Sequence, residues 1–392
     1  MAESKKIKVL NIITLFSVGG ATETVVSMAE GLNKKGYDVH IATGPNIPTE
    51  GSMYETANRL NIPVYTFENL KRAINLIDDV RIILELARFI RKNNYDIVHT
   101  HSSKAGVVGR LAAWLAGTKV RLHTIHGLPF HRYESWFVRN SFKLIEKFAA
   151  LTCTKLVAVT HTIVDVMVKN NLAPREKFAV IRSGFNIDEY INFNQDVSAL
   201  RKKYSLKDDE VVIGKVSRFS ILKGHKYLVN AFCEISKKNP KTKLLLIGNG
   251  EIENSLREMV KQMNLTDRVI FTGLIQPEEI PSAIAVVDIL VHTSLLEGLA
   301  RVLPQAIMME KPVISFDLDG AHEVIKDGVN GYLIEPENDA MLSDRILDLA
   351  TNLEKAKEFG RIGKKNLSDE FSTQKMVNQI HELYTSLLQS TN

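Results

Sequence analysis

The sequence is short of several things, and each shortage closes a class of explanation. It has two cysteines in 392 residues, Cys153 and Cys233, eighty positions apart. That count excludes a disulfide framework and a cysteine-built metal site. Long apolar runs are missing: a stretch such as 284–291 carries Asp288 and is far short of the ~20 residues of a membrane span. No transmembrane helix is expected. Aromatics make up 7% of residues and do not interleave with basic residues in a strand-rich module, so nucleic acid is not an expected partner. The disorder signature of low hydrophobicity with high net charge is absent, with 45% hydrophobic residues and a net charge of +5. The first residues place lysines directly before a short β-type run, with no cleavage pattern. A cytoplasmic protein is expected on that basis.

What is present is a long alternation. The length is too great for one ordinary core and suits two domains. Short β-branched runs at 7–13, 39–42, 63–67, 96–100, 120–125, 156–159 and 178–181 alternate with amphipathic stretches at 23–34, 80–92, 104–115 and 135–150. The pattern restarts with runs at 211–216, 243–247, 268–271, 289–291 and 312–315, separated by helical 227–236, 252–263 and 303–309. Strands flanked by helices of this length imply βαβ units and parallel sheets covered on both faces. The polar stretch 186–209 separates the two series. The expected fold is α/β: two doubly wound Rossmann-like domains, 1–190 and 191–371, facing each other across a cleft, with a closing helix in 372–392. Ligands of such sheets sit at the carboxyl ends of the strands.

Charge is unevenly divided. Residues 1–195 hold 25 Lys+Arg against 17 Asp+Glu, and residues 196–392 hold 25 against 28. An excess of +8 in the first half points to an anionic partner, a membrane surface or phosphorylated molecules. Ordinary solvated lysines would give the same count.

Three turns carry residues able to hold phosphates and sugars. The first strand runs into Gly19-Gly20 before a helix, a place where backbone N–H groups can approach a ligand. It is neither a dinucleotide fingerprint nor a Walker loop, and a tight turn alone would look the same. The second series opens with Arg218 leaving a strand and Lys223-Gly224 before a helix. A guanidinium fork and an ammonium at one strand end can clamp a diphosphate and stabilise its charge as it leaves. The third turn runs from Ser294 through Glu297, Gly298 and Leu299 to Gln305, with Gly298 expected to free backbone donors at a helix start. Glu297 there is either a sugar-binding carboxylate or a favourable charge at a helix N-terminus.

In these residues the chain resembles the retaining, GT-B-fold glycosyltransferases of the family 4 type, which include bacterial capsule, O-antigen and lipid-glycan transferases. The motifs that carry the resemblance are Gly19-Gly20, residues 96–106 (DIVHTHSSKAG), His126-Gly127, residues 180–188 (VIRSGFNID), Arg218 with Lys223-Gly224, Gly248-Asn249-Gly250, and Ser294 through Gln305. The resemblance implies a nucleotide diphosphate sugar donor, UDP-linked, held mainly by the second domain, and an acceptor held by the first. It implies transfer of a hexose or N-acetylhexosamine with retention, no metal and no cofactor. Arg218 and Lys223 would hold the donor diphosphate, assisted by backbone near Gly298 and Leu299. Glu297 would meet the donor sugar, His126 would line the reaction centre, and Gly19 and Gly20 would lie against the phosphates or the acceptor. The closing helix would return to the first domain. One position departs from the pattern: the family's Glu-x7-Glu is Glu297-x7-Gln305 here. Gln305 can still serve both ribose hydroxyls, with a carbonyl acceptor and an NH2 donor, but without charge assistance. A nucleotide-sugar-binding relative with weak or no turnover is the alternative that this change raises.

His99 and His101 form an H-x-H at a strand end and are expected to line the cleft or the core rather than to bind metal. Residues 128–155 combine Trp136, Phe137, Phe142, Ile145 and Phe148 with Arg132, Arg139, Lys143 and Lys147. Such a helix can lie in a membrane interface beside anionic head groups, which would make this a peripheral enzyme on the inner face of the membrane with a lipid-linked acceptor. A helix packing its apolar face on the core has the same pattern.

Overall fold

The computed structural model describes residues 6–47, 50–367 and 369–391. The chain forms two compact units, one holding residues up to Phe185 together with the chain from Glu370 onward, the other spanning Asn186–Asp369.

In the first unit the chain runs β1 (Lys8–Ile13), α1 (Gly20–Lys34), β2 (Asp38–Thr43), α2 (Tyr54–Arg59), β3 (Val64–Thr66), α3 (Leu76–Asn93), β4 (Ile97–His101), α4 (Ser103–Leu115), β5 (Val120–Ile125), α5 (Trp136–Leu151), β6 (Lys155–Ala158), α6 (His161–Lys169) and β7 (Phe178–Val180). The second unit contributes α7 (Asp188–Ile191), α8 (Val197–Lys203), β8 (Val211–Val216), α9 (His225–Lys238), β9 (Thr242–Ile247), α10 (Glu253–Gln262), β10 (Val269–Phe271), α11 (Ile280–Ala285), β11 (Ile289–His292), α12 (Val302–Met308), β12 (Val313–Phe316), β13 (Gly331–Ile334), α13 (Asp339–Thr351) and α14 (Leu353–Asn366). The last helix, α15 (Thr373–Thr391), belongs to the first unit.

Both sheets are wholly parallel among the described residues. The strand order is β3-β2-β1-β4-β5-β6-β7 in the first and β10-β9-β8-β11-β12-β13 in the second. Strands such as KVLNII and TKLLLI are buried along most of their length, as helices on both faces require. In each sheet the order reverses beside its first strand, between β1 and β4 and between β8 and β11. Loops leaving those strands diverge there and open a ligand crevice.

One face of the first sheet is covered by α1 and α15. Met376, Val377, Ile380 and Tyr384 of α15 join the core of Val9, Ile13 and the α1 residues Val25, Met28 and Leu32. Gly31 permits this approach, since a Cβ there would lie 2.4 Å from Val377 Cγ2. On the other face, Ile82, Leu86 and Ile90 of α3 and Val108 and Ala112 of α4 pack on Leu10, Ile12 and Val98. In the second unit one core joins Leu228 and Phe232 of α9 with Leu244, Leu246, Val291, Phe316 and Leu342.

Candidate active site

The second sheet brings its two informative turns together. The loop after β8 and the loop after β11 leave neighbouring strands at the point where the order reverses. They are laced by backbone: Leu295 N–H donates to Leu222 C=O at 2.8 Å, and Thr293 Oγ1 donates to Gly224 C=O at 2.9 Å. Gly224 has φ +64, and a Cβ there would sit 2.0 Å from the Thr293 carbonyl oxygen. The glycine after Lys223 is therefore demanded twice, by a left-handed backbone and by the approach of the second loop.

This lacing places Lys223 Nζ in a direct ion pair with Glu297 Oε1, across 74 residues of sequence. Both side chains are about three-quarters buried. Glu297 also lies 3.5 Å from His292 Nε2, and its N–H donates to Asp319 Oδ2 at 2.7 Å. Burial pushes the Glu297 carboxyl upward, but the Lys223 charge and the His292 contact outweigh it and hold the group well below the usual carboxylate range. Burial drives His292 down to about 4, against the partial support of Glu297, so its ring is neutral at pH 7. Glu297, Gly298 and Leu299 line a small pocket together with Leu318, Asp319 and Gly320.

Arg218 stands two residues past β8 with an exposed side chain. Gln305 is buried on α12. Gly298 does not open a helix as expected. α12 begins at Val302, and the Gly298 carbonyl instead accepts the Gly320 N–H at 2.9 Å. The loop after β11 is held there by the loop after β12, which delays the helix.

In the first unit, Gly19 caps α1 and Gly20 is its exposed first residue. A Cβ on Gly19 would meet nothing within 4 Å. Its backbone is extended, so the position calls for no glycine on conformational grounds. His126 is half-buried just past β5, with Nε2 3.1 Å from His101 Nδ1. His99 and His101 are buried and stack with ring centroids 4.5 Å apart. His99 Nδ1 meets the Tyr384 hydroxyl of α15 at 2.7 Å, and its Nε2 meets Thr124 Oγ1 at 2.7 Å. Among the described residues no group of three or more His, Cys, Asp or Glu side chains could hold a metal ion.

α5 turns most of its apolar stripe away from the core. Its inward face carries Glu146, Ala149 and Ala150, and Glu146 accepts a two-point ion pair from Arg110 of α4 at 2.9 and 3.0 Å. Most of its apolar side chains look outward: Phe137 is 76% exposed, Trp136 63% and Phe148 61%, with Leu144, Ile145 and Leu151 exposed beside them, whereas Phe142 packs partly buried against the core of Ile125, Phe130 and Ile163. Trp114 and Leu115 at the end of α4 are exposed too. Arg132 and Lys147 are exposed, whereas Arg139 and Lys143 are half-buried, Lys143 lying over the Phe130 ring. No helix among the described residues is long and apolar enough to cross a membrane.

Three residues at the second sheet were not legible beforehand. Lys215 in β8 is fully buried. Its Nζ makes no hydrogen bond to the described residues, and burial, reinforced by the Lys223 charge, lowers its pKa to about 7. His292 and Asp319 are the others. Asp319 ends the tripeptide Asp317-Leu318-Asp319, an Asp-x-Asp spelling that could have drawn attention to it.

The family model described as "Glycosyltransferase Family 4" matches residues 18–189, and that described as "Glycosyl transferases group 1" matches residues 196–366. The chain is 26% identical over 386 residues to the UDP-Gal:alpha-D-GlcNAc-diphosphoundecaprenol alpha-1,3-galactosyltransferase of Escherichia coli, covering 98% of each chain. It is 27% identical over 382 residues to the capsular polysaccharide biosynthesis glycosyltransferase CapM of Staphylococcus aureus, covering 97% of this chain and 98% of that one. Its fold is similar to that of Anabaena HepE in complex with UDP-glucose, with a TM-score of 0.82 at 22% identity over 97% of this chain and 99% of that chain.

Proposed function

The chain belongs to the GT-B-fold glycosyltransferases of the family 4 type, and from that membership we propose a retaining, metal-independent hexosyltransferase. It moves a hexose or N-acetylhexosamine from a UDP-linked donor to a hydroxyl of a glycan or lipid-linked acceptor. The observation that carries this reading is the convergence of Lys223 and Glu297 where the order of the second sheet reverses. A donor diphosphate offers Lys223 a second anion, and sugar hydroxyls offer donors to a carboxylate that stays ionised. Arg218, at the tip of β8, adds a fork for the same diphosphate. As the glycosidic bond breaks, charge grows on the diphosphate, and a cation already in place stabilises it. The leaving diphosphate then takes the acceptor proton on the same face. No protein nucleophile is assigned. Lys223, Arg218 and backbone donors near Gly298 and Leu299 supply the positive charge that a metal would otherwise bring. The names of the E. coli and S. aureus relatives favour a lipid-linked or polysaccharide acceptor. The outward apolar face of α5 favours a peripheral position on an anionic membrane surface.

UDP-glucose, UDP-galactose and UDP-N-acetylglucosamine test the donor directly. One of them is expected to raise the melting temperature and to release UDP. Glu297→Ala and Lys223→Ala should each lower that release by at least about a hundredfold, far more than Gln305→Ala, and EDTA should leave it unchanged. Native turnover in Glu297→Ala would overturn the site, and rescue by added Mg2+ after EDTA would overturn metal independence. Gln305 supports one other reading, a nucleotide-sugar-binding protein without turnover. Binding of a UDP-sugar with no UDP release would establish it.

A further inference from the structure

Asn11, His101 and His126 come from β1, β4 and the turn after β5, on the sheet face that α1 and α15 cover. β1 and β4 are paired with Asn11 opposite His99, so His101 lies two residues further along on the same face. Asn11 and His101 are 0% and 1% exposed. His101 Nε2 lies 3.1 Å from Asn11 Oδ1, and His101 Nδ1 lies 3.1 Å from His126 Nε2.

The chemistry of these atoms gives the row a direction. The Asn11 carboxamide turns its oxygen to the ring, and its Nδ2 is buried with no hydrogen bond to the described residues. An oxygen there only accepts, so His101 donates from Nε2, whereas the reverse amide orientation would turn the row round. A neutral ring that carries its proton on Nε2 has a bare Nδ1, and that atom accepts. His126 must then donate from its own Nε2. Burial holds His101 well below the basicity of a free imidazole, and the neighbouring His99, His126 and His123 rings push the same way. A second proton on His101, which would reverse the row, is therefore disfavoured. His99, stacked on His101 and tied to Tyr384 and Thr124, fixes the ring plane from the side.

We propose that Asn11 and His101 are positioning residues that set the tautomer of His126, keeping its proton on Nε2 and making Nδ1 its hydrogen-bond acceptor. His126 then receives a hydrogen bond from a sugar hydroxyl of donor or acceptor rather than giving one. This rests on the proposed transferase function and on the expectation, carried by the family resemblance, that His126 lines its reaction centre. The arrangement follows the general pattern in which a working imidazole has its tautomer fixed by the bond its other nitrogen makes.

Long-range 15N NMR of the full chain with 15N-labelled histidine, assigned with His126→Gln, reads the tautomers directly. Both His101 and His126 are expected as Nε2–H forms, with His101 neutral from about pH 5.5 to about 8, where a free imidazole would change charge. Asn11→Leu removes the acceptor at similar volume. It should mix the tautomers of His126 and lower kcat for UDP release from the responding UDP-sugar by about ten- to a hundredfold, the range found when the hydrogen-bond partner that orients a metal-bound imidazole is lost. KM should change less than about twofold, since the nucleotide and diphosphate of the donor are assigned to the second unit and His126 meets a single hydroxyl. A native His126 protonated on Nδ1 overturns the proposal, as does a folded Asn11→Leu with native kcat. Native turnover in His126→Gln sinks instead the placement of His126 at the reaction centre, and the catalytic meaning of the row with it, whatever the tautomers are.

Discussion

At the scale of single residues, Lys215 shows a side chain kept against the stability of the fold. Alternate residues of β8 face opposite sides. Gly214 lies so close to Val287 that a Cβ would fall 2.2 Å from its Cγ2, and Lys215 points the other way, fully buried. Its folded pKa of about 7 compares with about 10.4 for an unfolded lysine. Between those values the native state binds fewer protons than the unfolded chain, so stability falls as pH drops from about 10.4 to about 7 and the loss is complete below that. It amounts to about 5 kcal/mol. Lys215→Met should therefore be more stable than the native protein at pH 7, by denaturant midpoint, and the gap should close as pH approaches about 10.4. Equal stability at pH 7 would show that the amine stays charged. Nothing in the spelling VVIGKV reveals this, because burial of one strand position depends on what packs over it. The turns bearing Lys223 and Glu297 were legible for the opposite reason: each follows a β-type run and carries a glycine beside a charged residue, which is a local pattern.

At the scale of elements, α5 shows what an amphipathic pattern leaves open. Periodicity locates an apolar stripe but not the direction in which it faces. Here the bidentate Arg110–Glu146 pair and two alanines take the inner side, and the aromatic stripe is left on the surface. Singly exposed apolar residues are ordinary, but contiguous ones on a single helix mark an interaction surface. Phe137→Ser with Phe148→Ser should weaken sedimentation with anionic vesicles. So should replacing Arg132, Arg139, Lys143 and Lys147 by Gln, with the larger part of that loss carried by exposed Arg132 and Lys147. Unchanged binding in both sets would remove the membrane claim and leave the catalytic one intact. β13 was missed altogether, being four residues long after a turn. It is anchored by contacts remote from its own spelling: Leu333 N–H donates to Asp327 Oδ1 at 3.0 Å, and a Cβ on Gly331 would sit 2.3 Å from the Val313 carbonyl. α3 starts four residues earlier than its apolar period suggested, because the Asn75 side chain accepts the N–H groups of Ile77 and Asp78.

At the scale of the whole molecule, the chain finishes the domain it began. After the second unit it returns at Glu370, where the Phe185 N–H donates to the Phe371 carbonyl at 2.8 Å. α15 then supplies Tyr384, 0% exposed, whose ring packs against Tyr37 and whose hydroxyl meets His99. Tyr384→Ala should destabilise the first unit by about 3–5 kcal/mol through the cavity it leaves, with a further cost from the unpartnered buried imidazole. Chemical denaturation would measure it, and a loss under about 1 kcal/mol would mean that α15 adds little to that core.

The alternation of short β-branched runs with amphipathic helices, the pairs of glycines and the spacing of charged residues at strand ends were properties of the sequence by itself. They follow from local sterics, periodicity and the geometry of a turn, and they sufficed for two parallel sheets and for the turns bearing Lys223 and Glu297. Tertiary structure alone decided which buried polar groups came to influence one another: Lys215 in the field of the ion pair, Asp319 on the backbone of Glu297, and the row from Asn11 to His126. Those contacts join loops and strands tens of residues apart, and only the order of strands in a folded sheet sets their distances.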